Sequence, residues 1–92
     1  MRFGPDTRLS RVQNLLSTEL DQETVLMSID AGAYYGLGGA AQNIWNILEV
    51  PVTFSDLVNR LVKEYQVSPE TCTADLERFL SKMEREGLLR VE

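Results

Sequence analysis

The 92-residue sequence contains no histidine. Histidine is the commonest general base and metal ligand, so its absence removes Ser-His and Cys-His catalytic pairs. The only cysteine is Cys72, which excludes an intrachain disulfide and a cysteine-based metal cage. These absences close the usual routes to catalysis but do not exclude an enzyme. A small enzyme is the class that the sequence favours least, so we expect a non-catalytic protein with no metal or other cofactor.

Positive charge is also scarce, with 9 Lys and Arg against 14 Asp and Glu and a net charge of −5. A nucleic-acid backbone requires a concentrated positive surface, so the balance argues against such a partner. The negative net charge fits either a cationic binding partner or a role in keeping the protein soluble, and both interpretations stay open.

Long hydrophobic runs are missing as well. No stretch approaches the roughly 20 apolar residues of a membrane span. The first six residues lack the apolar core of a signal peptide, so we expect a cytoplasmic protein. Residues 1–8 contain Gly4 and Pro5 and show no periodic pattern of apolar residues, which predicts a loose N-terminal arm. The length then predicts a single domain over residues 9–92.

Three short strands are predicted in the first half of the chain. The first covers about residues 12–18, although so short a segment also fits a helix. The second covers residues 24–30, where alternation predicts one fully apolar face, made by Val25, Met27 and Ile29.

A tight turn follows, in which Gly32 supplies a positive φ angle. The third strand covers residues 34–37. Alternation directs Tyr35 and Leu37 to the core and Tyr34 and Gly36 to the opposite side.

Three helices are predicted in the second half, each with a helical apolar stripe. The first follows Gly38-Gly39 and ends before Pro51. Thr53 and Ser68 are N-caps of the second and third helices, and Gly87 ends the third in a Schellman motif. The stripes contain Ala41, Ile44, Trp45 and Leu48, then Phe54, Leu57, Val58, Leu61, Val62 and Tyr65, then Cys72, Leu76, Phe79, Leu80 and Met83.

The order of elements predicts an α+β fold, with a three-stranded antiparallel sheet followed by three helices packed on one face. This is also the set of elements found in a winged helix-turn-helix. A winged-helix DNA-binding domain is therefore an alternative function. Its recognition helix should be basic, and neither the second nor the third predicted helix has an excess of Lys and Arg.

Taken together, these patterns resemble PqqD-like peptide-recognition domains over about residues 20–90. Within that family the sequence is most similar to the stand-alone leader-binding proteins of lasso-peptide biosynthesis. The resemblance is carried by Leu26-Met27-Ser28-Ile29-Asp30, Gly32, Tyr34-Tyr35-Gly36-Leu37, Ile44-Trp45, Leu48, Leu57-Val58, Leu61, Asp75-Leu76, Phe79-Leu80 and Gly87-Leu88-Leu89.

The resemblance implies a winged-helix-like fold that binds the leader part of a ribosomally made precursor peptide. The leader adds as a strand to the third strand and lies against the third helix. The lasso type hands the precursor to a separate leader peptidase and a separate ATP-dependent ring-forming enzyme. The PqqD type, the alternative, presents its precursor to a radical enzyme.

A strand edge offers unpaired N–H and C=O groups, but each backbone hydrogen bond contributes only about 0.5–1.5 kcal/mol net. Selectivity therefore requires side-chain pockets. The candidate peptide-binding residues are Ala33, Tyr34, Tyr35, Gly36 and Leu37 on the third strand, and Cys72, Asp75, Leu76, Phe79 and Lys82 on the third helix.

Several of these residues also have a purely structural interpretation. Leu76 and Phe79 fit the core as well as a site, because an apolar helix stripe usually faces its own core. Cys72 fits a small buried apolar residue. An open edge can also pair with a second copy of the chain, so a monomer or a weak dimer is expected.

Overall fold

The computed structural model describes residues 3–13, 15–28 and 32–92. It confirms the α+β class and the three-stranded antiparallel sheet followed by three helices. In chain order the elements are β1 Arg8–Arg11, β2 Leu15–Leu20, β3 Glu23–Ser28, β4 Ala33–Gly38, α1 Ala40–Ile47, β5 Val52–Thr53, α2 Phe54–Tyr65, α3 Pro69–Arg85 and β6 Leu89–Val91.

The larger sheet has the order β2-β3-β4, with both pairs antiparallel. The first predicted strand is present in this sheet, but it covers Leu15–Leu20 rather than about residues 12–18. The chain leaves β1 after Arg11 and enters a different sheet at Leu15. Between them the Val12 amide donates to the Leu88 carbonyl at 3.1 Å. Because Leu88 is far from Val12 along the chain, no local sequence pattern predicts this hydrogen bond.

A second sheet, of order β5-β1-β6, was not predicted. Leu9 lies at its centre, opposite both Val52 and Val91, and is 0% exposed. Backbone hydrogen bonds of 2.9 and 2.8 Å join Arg8 and Glu92 in both directions. This sheet therefore ties the two ends of the chain together.

The N-terminal residues pack against the domain. Phe3 is 2% exposed and stacks on Phe54, with 5.6 Å between the ring centroids. The Ser55 amide donates to the Pro5 carbonyl at 3.0 Å. The loose arm predicted over residues 1–8 is therefore wrong for residues 3–8, because an aromatic anchor and backbone hydrogen bonds hold them.

Strand β3 buries the face opposite the fully apolar one that alternation identified. Leu26, with Thr24 and Ser28, is buried, whereas Val25 and Met27 are only half-buried. Ile29 and Asp30, which the sequence also assigned to this strand, lie outside the described residues. Both faces of β3 hold apolar side chains, so alternation by itself could not identify the inner one.

The helix ends match the predictions. Thr53 accepts a hydrogen bond from the Asp56 amide, and Ser68 accepts one from the Thr71 amide, each at 3.2 Å. At the end of α3, Gly87 has a φ of +76°. The buried side chains of the helices form one core with Leu9, Leu26 and Leu89, and they include Ile44, Trp45, Phe54, Leu57, Val58, Leu61, Cys72, Leu76, Leu80 and Met83.

Candidate functional site

Strand β4 lies at an edge of the larger sheet. Within the described strands it pairs with β3 alone, so its other side is not used by a neighbouring strand. Successive residues of a strand direct their N–H and C=O groups to alternate sides. Every second residue of β4 therefore presents a donor and an acceptor to an incoming chain.

A groove of about 430 Å³ runs between this edge and the C-terminal half of α3. One wall is the strand and the other is the helix, with α1 and the end of the chain completing it. Its lining is mostly apolar and consists of Tyr34, Tyr35, Gly36, Leu37, Ala41, Phe79, Lys82, Met83, Glu86 and Leu88.

The two tyrosines of β4 take the directions predicted from alternation. Tyr35 and Leu37 are half-buried and pack against the core. Tyr34 is 73% exposed and Gly36 is exposed, so both face away from the core. A peptide paired with β4 would therefore direct side chains alternately toward α3 and toward the side of Tyr34.

Polar groups lie at the rim of the groove. The Tyr35 hydroxyl donates a 2.9 Å hydrogen bond to the Glu86 carboxylate. This hydrogen bond, followed by partial desolvation and the negative charge of Glu86, raises the pKa of Tyr35 above its ordinary value. Lys82, one turn before Glu86, is exposed. The rim thus offers one cation and one carboxylate beside apolar walls.

Three of the predicted α3 residues lie elsewhere. Cys72, Asp75 and Leu76 line a separate apolar pocket of about 290 Å³. The rest of its lining comes from α1, α2 and the segment after α2, namely Ala40, Ile44, Leu61, Tyr65 and Val67. Ala33 begins β4 and does not line the groove, whereas Phe79 and Lys82 do.

The chemistry of Cys72 is that of a buried thiol. It is 7% exposed, and its Sγ lies 4.0 Å from the Val58 carbonyl oxygen. Burial, with the Asp75 charge as a second cause, raises the pKa of the thiol. The nucleophilic thiolate is therefore disfavoured at neutral pH. Asp75 itself pairs with Arg78.

Leu76 and Phe79 divide between core and groove. Leu76 is 3% exposed and belongs to the core. Phe79 is half-buried, packs on that core and also lines the groove. The ring of Phe79 therefore lies where the core meets the groove, and its role in peptide binding stays a prediction.

Sequence reasoning missed Ala41, Met83, Glu86 and Leu88 as groove residues. Helical spacing contained a signal for two of them, since Met83 and Glu86 follow Phe79 at i+4 and i+7 and share its face. Ala41 and Leu88 belong to other elements, so only the tertiary fold brings them to the groove.

The described parts of the chain lack both a metal-binding cluster and a membrane-spanning helix. No group of three or more Cys, Asp or Glu side chains is arranged to hold a metal ion among these residues. In the same residues, the helices are too short or too polar to cross a membrane.

Comparisons with known proteins give two matches. The family model described as "Coenzyme PQQ synthesis protein D (PqqD)" matches residues 23–89. The solved structure "TbiB1 in Complex with the TbiA(beta) Leader Peptide" is similar with a TM-score of 0.77 and 30% sequence identity. That match covers 86% of this chain and 93% of the other. No curated protein matches the sequence.

Proposed function

Because this chain belongs to the PqqD family, we propose that it binds the leader region of a ribosomally made precursor peptide, of the lasso type. The leader adds as a strand to β4 and packs its side chains against α3. The protein does no chemistry itself. It delivers the precursor to a separate leader peptidase and a separate ATP-dependent ring-forming enzyme.

The observation that carries this proposal is the position of the β4 edge directly beside the groove. The free edge and the groove lining share residues 34–37, so a paired peptide strand lies over the groove by necessity. The likeness to TbiB1, a structure solved with a leader peptide, supports leader binding by this chain.

The energetics divide between backbone and side chains. A few backbone hydrogen bonds at about 0.5–1.5 kcal/mol each hold the leader without selecting its sequence. Apolar leader side chains that reach Leu37, Phe79 and Met83 supply the selectivity. Lys82 and Glu86 at the rim distinguish charged or hydrogen-bonding neighbours.

The second pocket extends this site toward the N-terminal end of α3. Leu76 and Met83 are seven residues apart on the helix, which is about 10 Å at 1.5 Å per residue. An extended peptide covers that distance in about three residues. A leader that continues past Gly38 therefore reaches the pocket made by Cys72, Asp75 and Leu76.

Delivery requires no catalytic group on this chain. Binding the leader raises the effective concentration of the precursor at an enzyme that binds the same protein. The gain is kinetic, and it requires that one surface bind the leader while another remains available for the enzyme.

The decisive experiment is a backbone N-methyl scan of the synthetic leader of the cognate precursor, with affinity measured by fluorescence anisotropy. Each N-methyl group removes one backbone donor and leaves the side chains and this protein unchanged. Strand addition predicts large losses at every second position of the paired segment and small effects between them. A uniform response, or no binding of the unmodified leader, would overturn the proposal.

A further inference from the structure

The face of the β2-β3-β4 sheet that points away from the helices is apolar. Strand register puts Leu16, Met27 and Tyr34 in one row across the three strands. The next row contains Thr18, Val25 and Gly36. Antiparallel sheets with one face on the core normally carry polar residues on the other, so this face departs from the common pattern.

Three large apolar side chains on this outer face are strongly exposed. Leu16 is 55% exposed, Leu20 59% and Tyr34 73%. Val25 and Met27 lie between them on the central strand and are half-buried. Adjacent exposed apolar residues on a small monomer mark an interaction surface more often than single ones do.

The border of this face is acidic. Glu23 lies opposite Leu20 on this face, and Asp21 is exposed in the adjoining turn. Between Arg11 and Arg60 the sequence contains no Lys or Arg. At the β2–β3 hairpin the apolar face is therefore bordered by carboxylates, and no Lys or Arg between residues 12 and 59 balances them.

We propose that this outer face is a docking surface for a separate protein whose contact patch is apolar at its centre and carries Lys and Arg toward the β2–β3 hairpin. Charge complementarity decides between this partner and a second copy of the chain. A second copy has a net charge of −5 and would bring the same acidic border. It would therefore add repulsion where a basic rim adds attraction.

The outer face continues onto the bound leader. This part of the inference rests on the proposed function, since a leader paired with β4 becomes the next strand of the same sheet. Its side chains that point away from α3 lie beside Tyr34 and Gly36. Apart from Gly36 and its two chain neighbours, no heavy atom of the described residues lies within 4 Å of where a Cβ of Gly36 would be, so this part of the face is open.

A partner on this face therefore contacts the protein and the outward side chains of the leader together. Its affinity should rise when the leader is bound, because the contact surface is then larger. A partner that gains affinity from the bound leader recognises the precursor, so we infer an enzyme that acts on the precursor. We use the leader peptidase of the same biosynthetic system as the probe.

The test compares Leu16→Glu with wild type, with Val50→Glu as the matched control. Leu16 lies on β2, the edge opposite β4, so its change should not disturb leader binding. Val50 is 65% exposed and lies between α1 and β5, outside the sheet. We expect Leu16→Glu to bind the leader as wild type does and to lose at least tenfold in affinity for the peptidase. Val50→Glu should change neither affinity.

A charge arm and a second variant complete the design. Changing Glu23 to Lys should weaken peptidase binding at low salt and reduce its salt dependence. Leu16→Thr keeps a β-forming residue and removes the apolar side chain, so it replaces Leu16→Glu if that variant unfolds. Circular dichroism and thermal melting establish that each variant is folded.

Unchanged peptidase affinity in folded Leu16 variants would overturn the docking surface. A wild-type dimer that Leu16→Glu dissociates in analytical ultracentrifugation, without any effect on the peptidase, would assign the face to a second copy and also overturn it. Failure of the proposed function is distinguishable, because then the leader itself does not bind to the wild type.

Discussion

The Tyr35 hydroxyl donates a 2.9 Å hydrogen bond to the carboxylate of Glu86, 51 residues later in the chain. Tyr35 belongs to β4, and Glu86 is the C-cap of α3. The bond therefore joins the two walls of the groove. Its strength depends on the negative charge of the acceptor, since hydrogen bonds to ionised groups are stronger than neutral ones.

The first prediction concerns the titration of this pair. Glu86→Gln should lower the pKa of Tyr35, because the charge that favours the protonated phenol is removed. Tyrosine ¹³Cζ chemical shifts followed against pH measure this directly. A Tyr35 pKa that is equal in both proteins would show that the bond does not form in solution.

The same pair implies a direction for stability at high pH. The folded pKa of Tyr35 lies above its unfolded value of 10.0, so the phenol contributes stability that is complete below pH 10. That contribution is lost as pH rises through the folded pKa. Urea unfolding above pH 10 should therefore weaken wild type more steeply than Glu86→Gln.

The second prediction tests Phe79 as the aromatic wall of the groove. Phe79→Ala should weaken leader binding by about 10- to 100-fold, since a buried aromatic contact contributes a few kcal/mol and 1.4 kcal/mol is tenfold. Isothermal titration calorimetry measures the change. Arg85→Ala is the control on the same helix, with an exposed side chain that lines neither pocket, and it should leave the affinity unchanged. Equal effects of the two substitutions would remove Phe79 from the site.

The third prediction concerns the N-terminal segment. Phe3→Ala should lower the free energy of unfolding by about 3–5 kcal/mol, the usual cost of deleting a buried aromatic ring. The exposed Asp6→Ala serves as the control and should stay within about 0.5 kcal/mol of wild type. Denaturant unfolding of both variants gives the comparison. A Phe3→Ala protein as stable as wild type would mean that residues 3–8 are loosely attached.

The fourth prediction contrasts two glycines flanking the start of β4. Gly32 has a φ of +63°, where a Cβ is strained, so Gly32→Ala should destabilise the protein by about 1–2 kcal/mol. Gly36 has open space at its Cβ position, and Ala there should stabilise the strand by about 0.5–1 kcal/mol. Thermal unfolding should therefore shift in opposite directions. Two shifts of the same sign would contradict the strand conformation at Gly36 or the turn at Gly32.

Local interactions explain what could be predicted from the sequence. Thr53 and Ser68 cap amides only three residues away, and Gly87 ends α3 through bonds to the preceding turn. Alternation along a single strand assigned the directions of Tyr34 and Tyr35. Such signals lie within a few residues of one another, so a sequence contains them in full.

The buried face of β3 and the division of the α3 residues between two pockets could be identified only from the tertiary fold. Val25 and Met27 are as apolar as Leu26, and only the packing of the helices on one side of the sheet buries Leu26. Likewise Phe79 and Cys72 share a helix stripe, yet β4 covers one and the end of α2 covers the other. Periodicity places residues on a face but does not say which element meets it.

The sequence by itself thus determined the class, the three helices with their ends, and the strand whose edge we propose as the peptide site. Tertiary structure alone decided that residues 8–11 close a second sheet with the chain end, and that Tyr35 meets Glu86. The physical reason is distance along the chain. Caps and alternation act between near neighbours, whereas sheet partners and groove walls are chosen by burial of the whole core.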